Sequence, residues 1–116
     1  MNRPELYLYL AGSYARAKAE PLKSYRFGGF AVRVDGAIVK ARNGCASEPV
    51  PEHHCEARLC RKLTPQSVVY VARVSRAGEW AIARPCANCE RLMRNRGVSR
   101  CYYTIAPDEY GVMVFQ

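Results

Sequence analysis

Apolar positions recur at helical spacing over residues 5–18, where Leu6, Leu8, Leu10, Ala11, Tyr14, Ala15 and Ala17 fit a helix that stops before Pro21. The pattern then changes to two strand-like runs, Tyr25 to Val34 and Ala37 to Ala41. Asp35-Gly36 between them is a hairpin turn signal, because glycine reaches positive φ without steric cost. A polar, proline-containing loop follows from Asn43 to His53, and His54 to Leu63 reads as a second helix ended before Pro65. Val68 to Val74 is mostly apolar and β-branched, which suits a central strand covered on both faces. Trp80 to Ala83 either extends that strand or returns antiparallel after the Ala77-Gly78 turn. Pro85 is expected to open a third helix running through Arg96, with Gly97 closing it. Cys101 to Ile105 and Val112 to Phe115 complete the set, and the short Pro107-to-Gly111 connection favours an antiparallel hairpin. The order α-β-β-α-β-α-β-β predicts an α/β fold, a mixed sheet with helices on its faces. No linker, repeat or low-complexity segment interrupts it, so residues 1–116 are expected to form a single domain.

Composition narrows the setting. Hydrophobic residues at 49% and charged residues at 24% are ordinary for a globular chain, and no run approaches the ~18 apolar residues of a membrane span. Met1 to Glu5 lacks a basic patch leading into an apolar core, so no secretion signal is expected. With no export signal, six cysteines point to a reducing compartment, where paired spacings mean metal or catalysis more often than disulfides. A cytoplasmic protein is the expectation. The formal charge of +8 would suit a phosphorylated or polyanionic partner. Its Lys and Arg residues are nevertheless scattered, apart from a denser stretch at Arg91, Arg94, Arg96 and Arg100. That stretch reads either as a solvated surface or as a contact for phosphate or nucleic acid.

The chemistry is concentrated in two short motifs. His54-Cys55-Glu56 and Pro85-Cys86-Ala87-Asn88-Cys89 form H-x-E and P-C-x-x-C, each at the start of a predicted helix with a strand between. This pairing is the signature of zinc-dependent nucleobase deaminases. His54, Cys86 and Cys89 would supply three ligands and leave a tetrahedral Zn²⁺ one open position, whereas a structural zinc claims four. Such a metal lowers the pKa of a bound water toward ~7. Cys86 and Cys89, at i and i+3, share one face of the first helical turn, and the helix dipole favours anionic thiolates there. Glu56 would be the catalytic proton carrier, taking a proton from water and delivering it to a ring nitrogen and then to departing ammonia. Without it an amide anion would have to leave. The competing reading is a four-ligand structural zinc completed by Cys55 or Cys60. His53 is a rival ligand, but its distance from Glu56 breaks the H-x-E spacing and leaves it as a loop residue. Cys45, Cys60 and Cys101 have no partner at ligand spacing and read as small buried or half-buried thiols.

These residues resemble the cytidine and deoxycytidylate deaminase superfamily over nearly the whole chain. Phe27-Gly28-Gly29-Phe30-Ala31-Val32 is similar to the family's first strand, where a glycine segment lies beside the substrate, so Gly28 becomes a substrate-binding candidate. The resemblance implies that Asn43 hydrogen-bonds the substrate, although Asn43-Gly44 also fits a plain turn. Cys55 stands where the family often has an Ala whose backbone helps position the pyrimidine. Arg84, just before P-C-x-x-C, is a weaker substrate-binding candidate. Tyr102 and Tyr103 should face opposite sides of the sheet, and one of them, Tyr103, could stack on a base, with core packing as the competing role. The implied fold is the three-layer cytidine deaminase-like arrangement: a mixed five-stranded sheet, helices on both faces, and a hairpin for the last two strands. The tail resembles the free-nucleoside group, since Ala106 to Gly111 cannot hold a helix, while the histidine ligand and Asn-containing loop look more like the deoxycytidylate group. Related small deaminases also imply a homo-oligomer.

Three functions follow as expectations. The first is hydrolytic deamination of a cytosine ring in a free (deoxy)cytidine nucleoside or nucleotide, giving the uracil product and ammonia. The second is a base deaminase acting on single-stranded DNA or RNA, motivated by the positive charge; its binding should weaken steeply with salt. The third is a catalytically silent, zinc-stapled binding module, which an uncoordinated Glu56 argues against. No membrane partner is expected.

Overall fold

The first helix starts where a side chain can hold its first turn. In the computed structural model, which describes residues 2–17, 25–42, 59–75 and 77–115, α1 spans Arg3–Ala17. The Asn2 carbonyl accepts from Leu6 N at 3.0 Å and the Asn2 Oδ1 from Glu5 N at 2.9 Å. Asn2 Nδ2 in turn donates to Glu5 Oε1 at 3.1 Å. The Asn2 side chain thus satisfies the otherwise orphaned Glu5 N–H, its amide holds the Glu5 carboxylate, and the start of the helix lies ahead of the expected residue 5. Leu8, Ala11 and Gly12 form its buried stripe.

Strands β1 (Tyr25–Val32) and β2 (Ile38–Arg42) form the expected hairpin, with Gly36 in the turn at φ 87°. The turn takes in Arg33 to Ala37, closed by Arg33 N donating to Ala37 O at 2.9 Å. Most of the predicted second helix lies outside the described residues; Leu59 and Cys60 are helical. Strand β3 (Val68–Ser75) is the spine: it pairs antiparallel with β1 and parallel with β5 (Arg100–Ala106), which pairs antiparallel with β6 (Glu109–Val114). The sheet is open, in the order β2-β1-β3-β5-β6.

A sixth strand joins the five expected. Trp80–Ala81, β4, returns antiparallel on the end of β3 rather than extending it. Strands β3 and β5 pair only from Val68 to Val71, and β4 occupies the fork that opens beyond. Thr104, fully buried, ties the fork together. Its Oγ1 accepts from Arg73 N at 3.1 Å and donates to Ala81 O at 2.7 Å, while its carbonyl accepts from Ala83 N at 2.9 Å. The final hairpin is also tighter than expected: only Pro107 and Asp108 separate β5 from β6, with Asp108 at φ 62° and a register irregularity between Thr104 and Ala106.

Helix α2 covers Ala87–Asn95. Pro85 does not open it, a correction of the expected boundary. Cys86 is extended (φ −69°, ψ 168°) and its carbonyl accepts from Glu90 N at 2.9 Å, so Cys86 is the N-cap and Pro85 precedes it. A proline's fixed φ suits an extended residue as well as a helical one. The far end closes on Gly97 at φ 77°: Gly97 N donates to Arg94 O and Val98 N to Met93 O, both at 3.1 Å, which is the Schellman pattern.

Two cores lie on opposite faces of the sheet. On one, Leu8 packs with Tyr70, Val74 and Trp80, flanked by Tyr7, Phe30, Tyr102 and Tyr110. On the other, Leu59, Cys60, Leu63, Met93 and Val98 pack on Val69, Val71, Cys101, Tyr103, Met113 and Phe115. Strand β3 is thus covered on both faces, and the architecture is three-layered with helices on each side. Tyrosines line the α1 face: Tyr7 and Tyr70 rings lie 4.8 Å apart, and Tyr70 and Tyr102 stack at 5.3 Å and 8°. Burial, then the neighbouring Tyr102 and Tyr7, pushes the Tyr70 hydroxyl above the usual tyrosine pKa.

Candidate functional site

Chain leaving β4 runs extended into α2 and carries the P-C-x-x-C motif. Exposure alternates along it: Ile82, Arg84 and Cys86 are exposed, Ala83 and Pro85 buried. Arg84 and Cys86 therefore share one side of the segment, with backbones about 6.5–7 Å apart by strand rise. Cys89 follows Cys86 by one helical turn and is completely buried, on the same stripe as Met93. The Cys86 side chain makes no cap to the helix, and Glu90 is the acidic residue of the first turn. Two sulfur donors on adjacent positions of one helix end, one exposed and one buried, suit the soft donor set of a zinc site.

The other half of the expected site, His54, Cys55 and Glu56, lies outside the described residues, as do Asn43, Cys45 and His53. Among the described residues no cluster of three or more His, Cys, Asp or Glu side chains forms. Cys60 and Cys101 are buried in the core on the α2 face, the situation expected of small packed thiols.

Tyr102 and Tyr103 do face opposite sides of the sheet: Tyr102 stacks on Tyr70 under α1, and Tyr103 belongs to the core on the α2 face. The Tyr103 hydroxyl accepts from Arg84 Nη1 at 3.1 Å, and the Arg84 guanidinium carbon lies 5.7 Å from the ring centroid. Opposite Tyr103 in the β5–β6 register stands Gly111, where a Cβ would lie 2.8 Å from the Tyr103 Cζ and Oη atoms. The structure thus links Arg84, Tyr103 and Gly111 into one unit. Gly28 is buried and pairs with Ala72, which places it on the α1 face. Its neighbour Gly29 pairs with Val71 and shares the α2 face with Phe27, which packs against that core. Gly111 and Thr104 stand in no motif that the sequence singles out. A glycine inside a strand pattern is the signal that could have marked Gly111 as a point of close approach.

No protein-family model matches the sequence, and no curated protein matches it either. Solved structures do match. The cytidine deaminase of Burkholderia pseudomallei superposes with a TM-score of 0.68 at 15% identity, over 98% of this chain and 93% of that one. The cytidine deaminase of Mycobacterium leprae gives 0.63 at 15% identity, over 97% and 94%. That of Mycobacterium tuberculosis gives 0.59 at 16% identity, over 96% and 99%. The chain has the cytidine deaminase-like fold.

Proposed function

We propose that residues 1–116 form a single zinc-dependent domain that hydrolytically deaminates a cytosine ring in a (deoxy)cytidine nucleoside or nucleotide, giving the uracil product and ammonia. The observation that carries this reading is the placement of Cys86 and Cys89 at the start of α2, directly after the β3–β4 turn-back, in a fold shared with solved cytidine deaminases. His54 would complete the ligand set with these thiolates. When bound, zinc polarises water and lowers its pKa toward ~7, making a nucleophile available at neutral pH. Glu56 would take one proton from water and hand it to the ring nitrogen as the oxygen adds to C4, then take the proton of the new C4 hydroxyl and pass it to the amine, which leaves as ammonia while the C4 carbonyl forms. Asn43 and the Cys55 backbone orient the pyrimidine, with Phe27 and Gly29 on the wall nearest the cysteines. The protein works in the cytoplasm, and copies of it assemble to close a pocket that such short loops leave open.

A second reading, deamination of single-stranded nucleic acid, is favoured by one feature: Arg91, Arg94, Arg96 and Arg100 are all exposed around α2. Ammonia release from cytidine, deoxycytidine, their monophosphates and a cytosine-containing single strand separates the two. The leading reading expects turnover of a monomeric substrate, with Glu56→Gln retaining zinc and losing about 10²–10⁴-fold in rate. Turnover of the single strand alone would replace it with the second, and a Glu56→Gln variant of undiminished rate would remove the proposed proton carrier.

A further inference from the structure

Resting on the deaminase reading, we propose that Arg84 is a phosphate clamp beside the metal cysteines, so that the preferred substrate is a (deoxy)cytidine monophosphate rather than the nucleoside. Arg84 and Cys86 occupy the same exposed side of one extended segment, separated by the buried Pro85. No described carboxylate lies within ion-pair distance of Arg84; the described salt bridges are Arg33–Asp35 and Arg94–Glu90. Its single described hydrogen bond runs from Nη1 to the Tyr103 hydroxyl. A guanidinium has five N–H donors in a rigid fork, so this bond leaves the edge formed by Nε and Nη2 available. That edge matches two phosphate oxygens, the geometry in which arginine binds phosphate most strongly.

The guanidinium is also held in place. Tyr103 is 7% exposed, wedged in the core, and its ring tip rests on Gly111 so closely that any Cβ there would collide with it. An arginine pinned to a buried tyrosine loses less rotamer freedom on binding a ligand, which is the usual route by which a single contact gains affinity. A surface arginine serving only solubility has no use for such an anchor.

The test is isothermal titration of the zinc-loaded full chain, carrying Glu56→Gln so that the ligands are not consumed, with cytidine and with cytidine and deoxycytidine monophosphate, alongside turnover of the same compounds by the chain with Glu56 intact. In this background the wild-type Arg84 site should bind a monophosphate about 10- to 100-fold more tightly than the nucleoside, the range for a charged hydrogen-bonded contact. In Arg84→Gln that ratio should fall toward one, and Arg84→Lys, a point charge without the fork, should keep only part of it. Tyr103→Phe retains the charge but releases Nη1, so it should lower the ratio several-fold; Gly111→Ala should do likewise by displacing the ring. Arg3→Gln, exposed on α1 at the opposite face of the sheet, should leave the ratio unchanged. Equal wild-type binding of nucleoside and monophosphate overturns the clamp while leaving the deaminase reading intact if cytidine is turned over. A monophosphate preference lost in Arg84→Gln without any turnover keeps the clamp and sinks the reaction. Tighter binding of a single-stranded oligonucleotide than of either monomer, abolished by Arg84→Gln, overturns the monomeric substrate.

Discussion

Thr104 shows how one hydroxyl can decide where a strand goes. Where β3 and β5 part, the backbone groups of Arg73 and Ala81 need partners, and the Thr104 Oγ1 serves both at 3.1 and 2.7 Å. Thr104→Val keeps the shape and removes the acceptor and donor together, so it should cost about 1–3 kcal/mol of stability in urea unfolding. Thr104→Ser, which keeps the hydroxyl, should lose less; equal losses would mean that the methyl group, not the bridge, matters. Single residues were unevenly legible. Cys86 and Cys89 announce themselves by spacing, because a helical turn converts i and i+3 into neighbours without help from the rest of the fold. Thr104, Gly111 and the pairing of Arg84 with Tyr103 depend on contacts between segments distant in sequence, which periodicity does not encode. The glycine facing the α2 side is a register outcome: Gly28 and Gly29 are adjacent in sequence, and only pairing with β3 decides which faces where.

Among the elements, α2 is secured at its far end more visibly than at its start. Gly97 is needed twice, for φ 77° and because a Cβ would sit 3.2 and 3.3 Å from the Cβ and Cα of Pro65. The same junction receives Gln66 N on the Gly97 carbonyl at 2.8 Å. Gly97→Ala should therefore cost about 1–2 kcal/mol from backbone strain alone, more with the Pro65 contact, as a lowered urea midpoint. A midpoint shift below a few tenths would show that the junction relaxes freely. Gly97 and the β-branched run of β3 were legible because their signals are local. Pro85 fits both an extended and a helical φ, so sequence alone does not locate the start of α2. The apolar spacing that marks α1 begins only at Leu6, although Asn2 and Glu5 stand at capping-box spacing ahead of it. The two residues of β4 carry too little pattern to say whether a strand continues or returns.

For the molecule as a whole, architecture was readable from element order and the two motifs, and the solved cytidine deaminases agree with it across nearly the full chain at 15–16% identity. At that identity the likeness is one of fold. The division of labour between faces has a practical consequence. Trp80 is the chain's only tryptophan, 6% exposed, with its ring 4.9 Å from that of Tyr9 on α1. It lies on the α1 face, while Cys89 and Met93 lie on the other. Its emission is therefore an optical gauge of whether α1 remains docked, read independently of any assay. On adding a chelator, a catalytic metal should leave the emission maximum in place as activity disappears; a shift to the red with loss of activity would mean that the ion staples the fold. One indole thus lets a fluorimeter separate an enzyme that has lost its reagent from a protein that has lost its shape.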